Sequence, residues 1–161
     1  MSAITPEYRA AKMAADVLDM LSDNVQTYRD VAQRTRMYRL YVFCRRHEEE
    51  RRAFHSALAW LVTGEEGVKP RRSWAHRLHR FFAHFRIERA NRLGTLILEL
   101  RQDDAALRHA VEGLLAQPGL DGATWMVVSK LVSAIRATEA EFASIAGHRR
   151  DTRTLSDPAF I

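Results

Sequence analysis

From Tyr8 to Thr63 the chain contains neither glycine nor proline, the two residues that most often interrupt a helix. Nowhere does a strand-length run alternate apolar and polar residues, so the pattern gives no signal for a sheet and predicts an all-α chain. The breakers are concentrated elsewhere. Prolines stand at 6, 70, 118 and 158, and Gly64, Gly67, Gly119 and Gly122 flank two of them.

Between these breakers the apolar residues repeat at steps of three and four, the period of one helix face. Val17, Leu21, Tyr28 and Val31 mark a first helix from about Pro6 to Arg34. Continuing that phase would put Arg45 on the core stripe, whereas a second phase through Leu40, Cys44, Phe54, Leu58 and Leu61 is apolar throughout. A break near Arg34-Thr35-Arg36 is therefore expected, with a second helix reaching about Thr63 as an antiparallel neighbour. After a loop from Gly64 to Pro70, Ser73 suits an N-cap for a segment to about Glu88. Leu93, Ile97, Leu100, Leu107, Val111 and Leu114 mark a later helix ended by Gln117-Pro118-Gly119. Val128, Leu131, Ile135, Phe142 and Ile145 mark the last, with Asp121 as its cap and Gly147 as its stop. Four long helices of about 25 residues, each near 37 Å, with one extra segment between the second and third, describe a four-helix bundle with a crossover. The expected domain is 1–147, with a polar tail at 148–161.

A chain of 161 residues is long enough for one domain with one core. No apolar run approaches the twenty residues a membrane span needs. The start, Met1-Ser2-Ala3-Ile4-Thr5-Pro6, lacks the basic and apolar regions of a secretory signal. Cys44 is the single cysteine, so no internal disulfide or multi-cysteine zinc site is available. These features predict a cytoplasmic protein.

Arg45-Arg46-His47-Glu48-Glu49-Glu50-Arg51-Arg52 is a polar run longer than two helical turns, so no face of the second helix escapes it. Spacing from Cys44 and Phe54 places His47 and either Glu50 or Arg51 toward the core, with Glu48 on a more exposed face. The other stripes lose their apolar character at similar depth, at Asn24, Asp104 and Thr138. A polar layer shared by four helices is expected. Di-iron bundles place their ligands at such layers, using two Glu-x-x-His motifs, but this chain offers only the reversed His47-x-x-Glu50. Salt bridges along the helix, such as Arg45 with Glu49, are the plainer reading of the run.

Charge is the second informative feature. Between Lys69 and Arg92 lie eight Lys or Arg and one acid, a local excess of seven in a chain of net charge +5, which leaves the remainder at −2. Trp74, Leu78, Phe81, Phe82 and Phe85 sit at helical spacing opposite Arg72, Arg80 and Arg86. Such a segment either docks its aromatic side on the bundle with a solvated basic side, or presents Arg72, Arg80 and Arg86 to an anionic surface. His76 and His79, three residues apart, are a weaker metal signal. No Gly-rich phosphate loop, His-Glu-x-x-His or Gly-x-Ser-x-Gly is present, and Cys44 on an apolar stripe reads as packing.

Taken in order, Leu18, Leu21, Tyr28, Leu40, Phe43, Glu50-Arg51, Phe54 and Leu58 before a Gly-containing loop resemble a bacterial ferritin-like domain family of unknown function. Ser73, His79-Arg80 and Phe82 are similar to its crossover, and Asp103-Asp104-Ala105-Ala106-Leu107 to the opening of its later helix. The similarity spans roughly residues 15–146. It implies the ferritin-like fold. Departures from the family's ligand pattern stand at Val25-Gln26, Leu100 and Glu139, while Glu50 carries over, which implies a lost dinuclear iron site. The expected function is a non-catalytic binding or structural module without a cofactor, engaging a protein partner or self-associating. The alternatives are a protein that binds iron or another transition metal through His47, Glu50, Asp104 and Glu139, and recruitment to an anionic surface through residues 69–92.

Overall fold

The computed structural model describes residues 5–64 and 93–151. They form four helices: α1 Pro6–Arg34, α2 Tyr38–Thr63, α3 Leu93–Leu115 and α4 Gly122–Asp151. No strand occurs among the described residues, as the lack of alternation predicts. The expected segment from Ser73 to Glu88, with its candidate anion-binding residues Arg72, Arg80 and Arg86, lies outside the described residues, as do residues 152–161.

The helix ends follow local chemistry. Thr5 caps α1, its hydroxyl oxygen accepting from the Tyr8 backbone N–H at 3.3 Å, and Pro6 fills the first turn where no N–H is needed. Thr35 turns to extended backbone (ψ 139°) and ends α1 at the break that the stripe phases require. Gly64 closes α2 in the left-handed conformation (φ 67°). Asp121 caps α4, accepting from the Thr124 N–H at 2.9 Å, and hydrogen bonds from Thr124 hold its carboxyl below the usual range. One expected stop is corrected: α4 runs through Gly147 to Asp151. A single interior glycine costs a helix only about 1 kcal/mol relative to alanine, too little to end it without a turn signal beside it.

Each helix packs against two others. α1 lies between α2 and α3, and α4 closes the ring on the far side against the same two helices. Cross-helix contacts give the directions. Arg29 of α1 meets Glu48 of α2 while Leu18 and Leu21 share a cluster with Leu58, and Met13 lies beside Gly113 while Tyr28 reaches Asp104. Phe43 packs on Phe142 as Arg51 reaches Thr138, and Arg108 pairs with Glu139 as Arg136 pairs with Glu112. All four neighbouring pairs are therefore antiparallel, and α2 and α3 run in the same direction.

The apolar interior is divided in two. One half gathers Val17, Leu18, Leu21, Leu58, Leu107, Val111, Leu114, Val128, Leu131 and Ile135. The other gathers Tyr28, Val31, Leu40, Phe43, Cys44, Leu96, Leu100 and Phe142. Each fully buried leucine contributes about 1.5–3 kcal/mol relative to exposure. α2 ends beside the first half, and α3 begins at Leu93 beside the second.

Among the described residues two glycines hold positive φ, for different reasons. Gly64 has open space where a Cβ would stand, whereas a Cβ on Gly119 (φ 86°) would lie 3.2 Å from the Glu7 backbone nitrogen. Gly64→Ala should cost about 1–2 kcal/mol, the left-handed penalty alone. Gly119→Ala should cost more, because the start of α1 must also shift. Urea midpoints of the two variants, compared with wild type, check the order.

Candidate functional site: a polar layer between two apolar halves

The eight-residue polar run of α2 cannot avoid the interior, and where it enters the other three helices answer with polar side chains. Arg51 is fully buried. Its guanidinium donates to Thr138 Oγ1 of α4 at 3.0 Å and to Glu50 Oε2 at 3.0 Å, and lies 3.9 Å from Asp104 Oδ2 of α3. Asp104, also fully buried, accepts from the Tyr28 hydroxyl at 2.6 Å and from Asn24 Nδ2 at 2.9 Å, both on α1. The same Asn24 amide donates to Asp103 Oδ2 at 2.8 Å. Thr138 donates in turn to the Ala134 carbonyl at 2.9 Å. One connected network thus crosses all four helices, as the matched depths of Asn24, Asp104, Thr138 and the charged run predict.

His47 borders this layer at the seam between α2 and α4. Its Nδ1 lies 3.0 Å from Glu50 Oε2 and 3.3 Å from Thr138 Oγ1, and its Nε2 lies 3.3 Å from Glu141 Oε2. Arg46 also pairs with Glu141. The Phe43 ring meets the imidazole edge-on, with centroids 4.4 Å apart.

Burial dominates the electrostatics. It raises Asp104 above the usual carboxylate range, while the Arg51 charge and the Tyr28 and Asn24 hydrogen bonds pull the other way. It pushes Asp103 up to about 7 against the Asn24 hydrogen bond, with the neighbouring Asp104 charge adding to the rise. Burial, and then the Asp104 charge, raise Tyr28 well above its ordinary value. Cys44 is pushed up to about 12 by burial, reinforced by Asp104 and Glu48, which leaves a neutral thiol and no nucleophile at ordinary pH.

Of Glu50 and Arg51, the two residues offered for the core side, Arg51 is the one inside, and the exposed placement of Glu48 is corrected. Glu48, expected on a more exposed face, is fully buried, and Glu50 is part exposed. Glu48 lies beneath Arg29 of α1 and Arg45 and Arg52 of its own helix, pairing with all three, so Arg45 bonds Glu48 rather than the expected Glu49. The available signal was arginine three residues before and four residues after Glu48. Tyr28 is the other omission, since a buried tyrosine hydroxyl generally has a partner. Glu141, also missed, carries no comparable signal.

Of the four candidate ligands, His47 and Glu50 come together. Asp104 is held by Tyr28 and Asn24, and Glu139 lies apart in an ion pair with Arg108 at 3.0 Å. Among the described residues no group of three or more His, Cys, Asp or Glu side chains is arranged to hold a metal ion, and no helix is long and apolar enough to cross a membrane. Comparison with protein-family models, with curated proteins and with solved structures finds no match for this chain.

Two stability measurements test the layer. Asp104→Ala leaves Arg51, Asn24 and Tyr28 buried with a partner missing and should cost about 3–5 kcal/mol, whereas Glu139→Ala on the outer seam should cost under about 1 kcal/mol. Urea unfolding of the pair checks the contrast. Because Asp103 binds its proton more tightly folded than unfolded, its contribution is fully present below the ordinary carboxylate range and is lost as pH rises toward 7. Asp103→Asn should therefore gain on wild type progressively from pH 4 to pH 8, by about 1.4 kcal/mol for each unit of the shift that survives solvent relaxation. A difference in unfolding free energy that does not change with pH would contradict the assignment.

Proposed function

We propose that the chain is a non-catalytic ferritin-like module in which a protein-only charge network stands where a dinuclear centre would lie. The observation that carries this reading is Arg51. Its guanidinium is fully buried, 3.0 Å from Glu50 and 3.9 Å from Asp104, two of the carboxylates a metal would need. A resident cation there already neutralises the ligands and repels a second positive charge at close range.

The connectivity supports the ferritin-like part of the reading. α2 and α3 run in the same direction and meet opposite apolar halves at their joined ends, so residues 65–92 link the two ends. As a helix those 28 residues would reach about 42 Å, a length matching the roughly 39 Å of α2. A crossover fits that requirement. With its interior filled by its own side chains, the module acts through its surface, by self-association or by holding a protein partner.

Elemental analysis of protein purified without added metal tests the reading against its alternative, a site using His47, Glu50, Asp104 and Glu139. The expected result is no stoichiometric iron, and no change in melting temperature when Fe(II) or Zn(II) is supplied. About two irons per chain would overturn it.

A further inference from the structure

The outer face where α1 meets α2 carries a feature that the buried layer does not use. Tyr38, Tyr41, Arg45 and Arg52 follow one another at steps of three, four and seven, which aligns them along one side of α2 over about 21 Å. Tyr38 is 77% exposed and Tyr41 44%. The side chains of Arg45, Arg52 and, from α1, Arg29 are 42, 50 and 37% exposed. All three arginines bear on the single buried carboxylate of Glu48. One buried negative charge thus anchors three guanidiniums, which leaves the face net positive even with the exposed Glu49 beside it, and leaves most of their N–H donors for an outside ligand.

We propose that this face binds single-stranded nucleic acid, the arginines engaging phosphates and the two tyrosines stacking on bases. A positive track for the backbone with exposed aromatic rings on which bases stack is the recurring chemistry of single-strand recognition; here the two tyrosines continue the line of the arginines toward the start of α2, and Glu48 holds the guanidiniums in place before a ligand arrives, which lowers the ordering cost of binding. An anionic membrane fits less well. A membrane-surface helix needs its aliphatic and aromatic side free for lipid, but α2 commits Leu40, Phe43, Cys44 and Leu58 to the core. The exposed carboxylate closest in helical register is Glu49, four residues after Arg45 and three before Arg52, at the edge of the row.

The test is fluorescence anisotropy of full-length protein with a labelled short oligouridylate across a salt series. Wild type should bind, with affinity falling as salt rises from about 50 to 200 mM. Tyr38→Ala with Tyr41→Ala, both exposed and so able to fold, should weaken binding at least tenfold at unchanged melting temperature. Arg52→Gln should lower the slope of log affinity against log salt by about 0.7, one phosphate contact on a single strand. Glu49→Gln should tighten binding. Replacing Arg72, Arg80 and Arg86 by Glu should preserve the tenfold effect of the tyrosines. The proposal is overturned if wild type does not bind the oligonucleotide at low salt, or if the double tyrosine variant binds as wild type does. It is equally overturned if the Arg72, Arg80 and Arg86 replacements alone abolish binding, or if anionic phosphatidylserine vesicles are preferred to the oligonucleotide.

Discussion

A guanidinium sealed in a protein interior cannot shed its charge, and everything around Arg51 answers to that fact. Bulk solvent does not reach it, and protein groups supply the compensation: a hydroxyl on α4, a carboxylate on α3 and a carboxylate on its own helix. Asp104 has the reciprocal requirement and is served from α1 by Tyr28 and Asn24. Apolar packing alone would tolerate each helix sliding by a turn against its neighbours. The network does not, because any such slide leaves several buried polar groups without partners, each at a cost of about 1–3 kcal/mol.

The layer also explains how a short, strongly charged helix segment can sit in the middle of a core. Of the eight residues from Arg45 to Arg52, Arg51 faces inward and His47 the seam with α4, while Glu48 is buried toward α1. Each finds different compensation: hydrogen bonds across the interior, two flanking carboxylates, and a cover of three arginines. The split of the apolar interior into two halves follows directly, since among the described residues no fully buried leucine or valine occupies the level that these groups take.

Much of this was legible beforehand. The glycine- and proline-free stretch and the phase change near Arg34 defined α1 and α2, and the matched polar positions Asn24, Asp104 and Thr138 announced the shared layer. What stayed illegible has a physical reason. Periodicity assigns a side chain to a face with an uncertainty of nearly half a turn, so it leaves Glu50 and Arg51 both open for the core side and puts Glu48 on the wrong face. The decision came from the arginines of two helices closing over Glu48, a tertiary fact. Gly147 misled because one breaker is weaker than the backbone ladder around it. Glu139 turns to Arg108 at the seam of α3 and α4, a position that a stripe reading cannot distinguish from an inward one.

The distribution of the network between the helices bears on how the molecule assembles. α1 and α2 are joined by three residues and α3 and α4 by six, so each pair can form early from contacts close in the chain. Yet Arg51 and Tyr28 belong to one hairpin while Asp104 and Thr138 belong to the other. Either hairpin alone strands its buried polar groups, and a half-built intermediate is penalised by the same charges that lock the finished one. Folding is thereby made cooperative: the two hairpins become stable together, at the moment the layer closes, and not one after the other.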